Sequence, residues 1–446
     1  MANGERNSPP SPGMGRRQFL KRAALTGVAA AGFPYIIPSR AFGAGENVAP
    51  SNRLNIGFIG MGTMNKGHLA QMWQTPDVQV VAVCDIESTR LEDCRRWTDE
   101  CYAKAYGSGN YKACLAYADY NELLARPDID AVMIATPDHW HALPAIAAAK
   151  AGKDIYCEKP MAHTVEEGRA MVNAVRRYGR VFQTGSQQRS EFNGYFRRAA
   201  EMVRNGVIGE LKSIDIGVGP AARDSVGLPE EPVPPTMDWD RWLGPAPWRP
   251  YSSVLSPMNY SGYPDWRSFR DYAGGSLSDF GAHNFDIAQW ALGMDDSGPV
   301  EFIHPNDSQD KERRLTIMYA NGVPMYHGGK DYCTFNGTKG IVHVTRDYLR
   351  TEPEGLLETP YGPNDVRLDR GRGHHRDWLE CIKTREKPIA DVEIGHRTAT
   401  ICALANMCYQ IGRSFKWDPK AERVVGDEEA NRMLGYAYRA PYRLEA

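Results

Sequence analysis

Residues 54–62 read Leu-Asn-Ile-Gly-Phe-Ile-Gly-Met-Gly, a short apolar run that leads directly into two glycines. The run predicts a buried strand, and an apolar-periodic helix is predicted soon after it, over residues 67–73. A second apolar strand is predicted over residues 78–84. A strand, a helix and another strand at this spacing form a βαβ unit, in which the two strands are parallel.

The same alternation continues to about residue 184. Further strands are predicted over residues 131–135, 154–157 and 181–184, with helices over 88–102, 120–125, 142–151 and 165–178. A further helix is predicted over 194–205. From residue 208 the pattern changes to partly alternating strands over 211–218, 314–320, 323–332 and 341–345, with helices over 375–384 and 398–413. The predicted fold class is α/β, with an N-terminal Rossmann parallel sheet and a C-terminal α+β domain that has an open, mostly antiparallel sheet.

The two glycines after the first strand lie where a dinucleotide-binding turn needs them. Gly60 permits the tight turn, and Gly62 lets the backbone approach a pyrophosphate at the helix N-terminus. Asn65 stands where the third glycine of this motif would fall, which weakens the match. Asp85 ends the second strand and can bind both ribose hydroxyls, so NAD is favoured over NADP. The alternative is an ordinary strand–helix turn, with Asp85 as a helix cap.

Three further segments combine reactive side chains. They are Thr136-Pro137-Asp138-His139-Trp140-His141, Glu158-Lys159-Pro160 and Asp279-Phe280-Gly281-Ala282-His283. The first two follow strands of the parallel sheet, at the edge where such sheets bind ligands. Asp279 and His283 are four residues apart, so on one helix they would share a face.

These segments, the glycine turn and Gly337-Thr338-Lys339-Gly340 together resemble the Gfo/Idh/MocA oxidoreductase family over nearly the whole chain after residue 43. The resemblance implies a nicotinamide at the junction of the two domains, and sugars or cyclitols as substrates. It implies that Lys159, Asp279 and His283 form the catalytic set. It also implies a group of NAD-binding residues, namely Gly60, Gly62, Thr63, Met64, Asp85, Thr136, Pro137, His141 and Glu158.

The residue types suit the oxidation of a hydroxyl group. His283 is the candidate base for the hydroxyl proton, because histidine titrates near neutral pH. Lys159 would stabilise the developing negative charge, and Asp279 would orient the substrate or His283. Each residue also has a structural alternative: Glu158 and Lys159 as a surface ion pair, Asp279 as a helix N-cap and His283 as a buried histidine. We predict no metal site, since His139 and His141 lack a carboxylate partner and the pair at 374–375 fits a helix start.

The N-terminal residues predict an export signal. Arg16-Arg17 precedes Phe19-Leu20-Lys21, an apolar stretch and small residues ending at Gly43. This order resembles a twin-arginine signal, although Gly15 departs from the usual pattern. The predicted organisation is a signal peptide over 1–43, an NAD-binding domain over 44–185 and a substrate and oligomerisation domain over 186–446. Because that pathway carries folded proteins, we expect a periplasmic or otherwise exported enzyme with tightly held NAD and no membrane anchor after processing.

The whole chain has 446 residues and a net charge of −2. The signal carries six basic residues and one acidic residue, so the net charge of the remainder is −7, which argues against nucleic-acid binding.

An arm over about 220–272 is rich in aromatic residues, which suit either sugar stacking or packing. Arg267 and Arg270 in it could bind an acidic group, and the arm or the open sheet could support a homo-oligomer. Among the cysteines, Cys94, Cys101 and Cys114 are close enough in sequence for one disulfide to remain possible.

Two alternative functions remain open. The first is an NAD-dependent glycosidase, in which a transient oxidation permits elimination of a glycosidic bond before the hydride returns. The second is a non-catalytic binding protein on the same fold, which the presence of both Lys159 and His283 disfavours.

Overall fold

The computed structural model describes residues 48–106, 113–258, 262–368 and 372–445. The predicted export signal lies outside these residues. Before Arg53 the described chain contains a single turn of 3-10 helix, Pro50–Asn52.

A parallel six-stranded sheet forms from the N-terminal half of the chain. Its strands are β1 (Leu54–Ile59), β2 (Val78–Cys84), β3 (Leu115–Tyr117), β4 (Ala131–Ile134), β5 (Asp154–Cys157) and β6 (Phe182–Thr184). Their order, β3-β2-β1-β4-β5-β6, is that of the dinucleotide-binding doubly wound fold and confirms the predicted parallel sheet. β3 was not predicted, because its three residues, Leu-Ala-Tyr, are too few to show the periodicity of a strand.

Helices cover this sheet between its strands. They are α1 (Thr63–Met72), α2 (Ser88–Tyr106), α3 (Tyr120–Leu124), α4 (Ala142–Lys150) and α5 (Val165–Arg177). α1 begins four residues earlier than its apolar pattern predicted, because its first turn is polar and only its later turns carry Leu69 and Met72 into the core. α5 begins with a capping box, in which Thr164 and Glu167 bind each other's backbone amides.

A nine-stranded sheet forms from the rest of the chain. It contains β7 (Leu211–Ile216), β8 (Glu301–Ile303), β9 (Thr316–Met318), β10 (Pro324–His327), β11 (Cys333–Gly337), β12 (Ile341–Val344), β13 (Leu349–Glu352), β14 (Phe415–Asp418) and β15 (Arg423–Val424). The strand order is β13-β12-β11-β7-β10-β9-β8-β14-β15. Only β7 and β10 pair in parallel, so the predicted mostly antiparallel sheet is confirmed. The predicted strand over 323–332 is interrupted at Gly328, whose φ of +115° ends β10.

The remaining helices are α6 (Tyr195–Arg204), α7 (Trp239–Leu243), α8 (Gly275–Asp279), α9 (Gly281–Leu292), α10 (His374–Thr384), α11 (Val392–Ile411) and α12 (Glu428–Asn431). α9 packs between α6 and α11 and is buried from Gly281 to Ala291. α10 returns to the parallel sheet, where Trp378 and Leu379 join the core around Phe58 and Met133. Within the described residues, we find no helix with the length and apolar character of a membrane span.

The aromatic arm builds a small core of its own. Trp239 stacks on Trp242 with ring centroids 4.6 Å apart, and Tyr251 packs edge-on against Trp239. Most of the arm's aromatic residues are therefore buried in this core, while Trp248 is 65% exposed.

The three cysteines considered for a disulfide, Cys94, Cys101 and Cys114, are free thiols in this structure.

Candidate functional site

The glycine turn after β1 closes against the turn after β4. Gly60 has a φ of +82°, and a Cβ there would lie 2.9 Å from both the Thr136 backbone nitrogen and Cγ2. Only glycine fits this close approach. Gly62 occupies the N-cap position of α1, with Thr63 and Met64 in the first turn. The turn therefore presents backbone and a helix N-terminus to the adjoining cavity, as a pyrophosphate requires.

Asn65 replaces the third glycine of the motif in a way that the sequence did not reveal. Its side-chain amide donates to the carbonyls of Ile59 at 3.0 Å and Gly60 at 2.8 Å, and the residue is fully buried. These bonds tie α1 to the end of β1. Close packing of helix against strand, the usual role of the third glycine, is thus provided by hydrogen bonds instead.

Asp85 lies at the end of β2 and faces the same turn. Its carboxylate accepts from the Met61 amide at 2.7 Å and from Arg90 Nη1 at 3.2 Å. The first amides of α2 are bound by Glu87, at 3.1 Å for Thr89 and 2.7 Å for Arg90. The helix-cap role considered for Asp85 therefore falls to Glu87, and Asp85 is left at the edge of the nucleotide cavity.

A cavity with about 1160 Å³ of empty space runs along the carboxyl ends of β1, β2 and β4. Its walls include the glycine turn, Asp85, Thr136 and Pro137. The Thr136 hydroxyl is buried without a partner among the described residues, so it is available to a ligand. A glycine cradle, an acidic residue for a ribose and an unused hydroxyl together fit NAD, the cofactor predicted from the sequence.

A second cavity, with about 1820 Å³ of empty space, shares Thr63, Met64 and Thr136 with the first. It contains all three predicted catalytic residues, Lys159, Asp279 and His283, and is called the reaction cavity below. Lys159 Nζ donates to Asp279 Oδ1 at 2.5 Å and to the Asp279 backbone carbonyl at 2.9 Å. This pair joins the end of β5 to the end of α8 across 120 residues of chain, and it lies at the cavity wall rather than on the outer surface.

Asp279 and His283 lie on either side of a one-residue break between two helices. Asp279 is the last residue of α8 and α9 starts at Gly281, while Phe280 between them keeps helical backbone angles, φ −87° and ψ −27°. Asp279 pairs with Lys159, and Asp279 and His283 both line the reaction cavity. The predicted helix is therefore interrupted, but the two side chains reach the same cavity.

His283 is 4% exposed, and its Nδ1 has no hydrogen-bond partner among the described residues. Burial lowers the pKa of His283 well below its usual value, and the positive charges of Lys159 and Arg346 lower it further. The imidazole is therefore neutral near pH 7 and able to accept a proton.

Glu158 is a buried residue of the cavity wall and is not part of a surface ion pair. It is 4% exposed, and its Oε1 lies 2.8 Å from His68 Nε2 and 2.9 Å from Gln187 Nε2. Burial opposes its ionisation, but the His68 hydrogen bond and the nearby positive charge of Lys159 outweigh burial and lower its pKa to about 2. A Cβ at Gly185 would lie 2.7 Å from the same carboxyl group, so the chain leaves room for Glu158.

The two histidines of the segment that follows β4, His139 and His141, have structural partners. The His141 ring lies between the carbonyls of Pro160, at 2.8 Å, and Thr136, at 3.0 Å. His139 Nε2 lies 3.1 Å from the Trp242 carbonyl and holds the arm. Among the described residues, no group of three or more side chains is arranged to bind a metal ion.

Several cavity residues were not chosen from the sequence. Asp138 is buried at the cavity, where burial and the Asp279 charge raise its pKa well above the usual range. His68 shares the buried face of α1 with Leu69 and Met72, a pattern that the sequence did show. His375 Nε2 lies 3.0 Å from His68 Nδ1 although the two are 307 residues apart, which no local pattern indicates. The others are Gln187, Phe192, Arg346 and His374.

The arm contributes one edge of both cavities. Thr63 Oγ1 donates to the Gly262 carbonyl at 2.9 Å, and the Tyr263 hydroxyl lies 3.7 Å from Met64 Sδ. Arg267 stacks over Trp266 at 4.2 Å and lines the reaction cavity. Arg270, the other candidate for an acidic group, instead pairs with Asp224 at 3.0 Å beside a different cavity.

Relatives of the chain include several curated proteins. Myo-inositol 2-dehydrogenase of Thermotoga maritima is 25% identical over 394 residues, covering 84% of this chain and 99% of that protein. Levoglucosan dehydrogenase of Pseudarthrobacter phenanthrenivorans is 30% identical over 309 residues, 66% of this chain and 63% of that one. A glycosyl hydrolase family 109 protein of Solibacter usitatus is 30% identical over 202 residues, 44% of each chain. The chain thus spans only about half of some of the curated relatives that it matches.

Solved structures and family models agree on the fold. The aldose-aldose oxidoreductase from Caulobacter crescentus superposes with a TM-score of 0.55 at 20% identity, over 82% of this chain and 99% of that one. Residues 54–186 match the family model of an oxidoreductase NAD-binding Rossmann fold, and residues 222–444 match that of the C-terminal alpha/beta domain of the same family. With both models matched and the glycine cradle in place, the chain belongs to the Gfo/Idh/MocA family of NAD-binding oxidoreductases.

Proposed function

We propose that the protein oxidises a hydroxyl group of a sugar or cyclitol and passes the hydride to bound NAD. The observation that carries the proposal is the reaction cavity, where the Lys159–Asp279 pair and a neutral, buried His283 adjoin the glycine cradle. The relatives named for inositol and levoglucosan oxidation support the substrate class.

In this proposal the glycine turn, Asp85 and Thr136 would hold NAD, which when bound would supply the acceptor for the hydride of the carbinol carbon. His283 accepts the hydroxyl proton as the carbon–oxygen double bond forms, because it is neutral and one ring nitrogen is unused by the described residues. The Lys159 ammonium stabilises the negative charge that develops on the reacting oxygen. Asp279 fixes that ammonium through two contacts, one to its side chain and one to its carbonyl.

Glu158 has a positioning role in the same proposal. Its carboxylate accepts from the Lys159 backbone amide at 3.2 Å, next to the side chain that contacts the substrate. His68 and Gln187 hold the other oxygen. The fixed carboxylate thereby sets the backbone from which Lys159 extends into the cavity.

A glycosidase is the second candidate, and the alignment to a glycosyl hydrolase family 109 protein favours keeping it. The same residues would serve, since that reaction also begins with the removal of a hydride and a proton. The two candidates differ in outcome: a dehydrogenase leaves an oxidised sugar, whereas a glycosidase returns the hydride and releases a free sugar.

The deciding experiment follows the nicotinamide absorbance of the purified, NAD-loaded protein while sugars, cyclitols, uronic acids and glycosides are added. We expect free sugars or cyclitols to reduce the cofactor. Cleavage of a glycoside with the cofactor oxidised at the end would favour the glycosidase. Binding of NAD without either reaction would refute both candidates.

We also propose export by the twin-arginine pathway, with NAD loaded before export. Arg16-Arg17 and the small residues before Ala44 support this proposal. Replacing both arginines with lysine is expected to retain the protein in the cytoplasm, as judged by cell fractionation. Unchanged export of that variant would contradict the proposal, and export of the unaltered chain into the same fraction is the control.

A further inference from the structure

Arg346 is a cation of the reaction cavity to which the proposed chemistry gives no direct part. It follows β12 and lines the cavity with Lys159 and His283. Its guanidinium carbon lies 4.7 Å from the ring centroid of Phe192 and 5.9 Å from that of Phe280. Since Phe280 is the residue between α8 and α9, this stacking places Arg346 beside the junction between Asp279 and His283.

The charges around the cavity leave Arg346 without an anion. Lys159 pairs with Asp279 at 2.5 Å, and Arg267 lies 4.0 Å from the same carboxylate. The carboxylate of Glu158 binds His68, and that of Glu191 accepts from the His374 amide at 2.9 Å. Each of the cavity's ionised carboxylates is therefore already engaged.

Arg346 itself forms no hydrogen bond or ion pair with any residue in the described ranges, and its Nε is buried without a partner. Other arginines of the chain do have a carboxylate partner. Arg314 Nη1 lies 2.7 Å from Asp215 Oδ1, and Arg350 lies 3.6 Å from Asp331. A buried donor that lacks a partner costs free energy, and a ligand that supplies an acceptor recovers that cost.

The aromatic stack leaves the edge of the guanidinium group for a ligand. Stacking uses the face of the planar group, whereas its N–H donors point outward in the plane and match two anionic oxygens. We propose that Arg346 binds an anionic substituent of the substrate, and that the substrate class is therefore acidic sugars, with a uronic acid carboxylate as the favoured group. This inference rests on the proposed oxidation of a sugar in the same cavity.

The test measures binding by calorimetry and turnover by cofactor reduction on the NAD-loaded protein, with glucuronate, glucose 6-phosphate and glucose as ligands. We expect glucuronate to bind more tightly than glucose, and Arg346→Met to reduce this preference about 10- to 100-fold. Arg350→Met is the matched control, because its side chain is 57% exposed and lies outside the cavity. The melting temperature of both variants is measured to confirm that they fold.

The outcomes separate this inference from the proposed function. An acid preference that depends on Arg346, without hydride transfer from any sugar, would support the inference and refute the oxidation. Hydride transfer from glucose and glucuronate with equal kcat/KM in the unaltered protein would refute the inference and leave the oxidation standing. A preference for glucose 6-phosphate that Arg346→Met removes would support an anion site and identify a phosphate instead of a carboxylate.

Discussion

Replacing His283 with alanine is expected to lower kcat about 10²- to 10⁴-fold, the usual contribution of a positioned general base. The side chain is nearly fully buried and lines the reaction cavity, and water in the space left by alanine would be a much weaker base than imidazole. NAD affinity should change little, because the glycine turn and Asp85 bind the cofactor elsewhere. The measurement is the steady-state rate of cofactor reduction, with NAD binding followed by fluorescence titration.

The pH dependence of the unaltered protein gives a second check on His283. Its pKa is lowered in the folded protein, so the base stays neutral and active until the pH falls through that lowered pKa. We therefore expect the acid limb of the kcat/KM profile to lie below about pH 6.5, which is the pKa of an unperturbed histidine. A limb near 6.5 that persists in His283→Ala would identify another group as the base. His304→Ala is the control, because His304 is not among the residues that line the cavity.

Replacing Lys159 with alanine is expected to lower kcat about 10²- to 10³-fold, the effect of removing one group that stabilises a developing oxyanion. The ammonium is held by Asp279, so its position is set before substrate binds. Its loss also removes the positive charge that lowers the pKa of His283. The residual activity should therefore fall off at a higher pH than in the unaltered protein. A pH series of single-turnover rates measures both effects.

Lys212→Ala is the matched control for this variant, because the Lys212 side chain in β7 is 55% exposed and Glu210 is its one ion-pair partner among the described residues. It should retain full activity and stability. If Lys159→Ala kept its rate within a few-fold of the unaltered protein while binding NAD, the assignment of Lys159 to the reacting oxygen would be wrong. A rate loss without a shift of the acid limb would indicate that Lys159 and His283 act at separate places.

The sequence alone determined the features that depend on neighbouring residues. Strands β1, β2 and β5 have the predicted limits, because each consists mostly of apolar residues and is bounded by polar or turn residues. Gly60 could be identified because a turn directly after such a strand requires its conformation. The NAD-binding fold and the two kinds of sheet follow from the same local patterns. The short edge strand β3 could not be identified, since three apolar residues do not distinguish a strand from a loop or a helix.

The tertiary structure decided which functional side chains meet. Asp279 binds Lys159 from 120 residues away, a pairing that no local pattern indicates. His375 reaches His68 because α10 packs back onto the parallel sheet through Trp378. Arg346 has no hydrogen-bond or ion-pair partner among the described residues, because the carboxylates of Asp279 and Glu191 are engaged elsewhere. Partnership and burial depend on contacts between remote segments, and local periodicity carries no information about them.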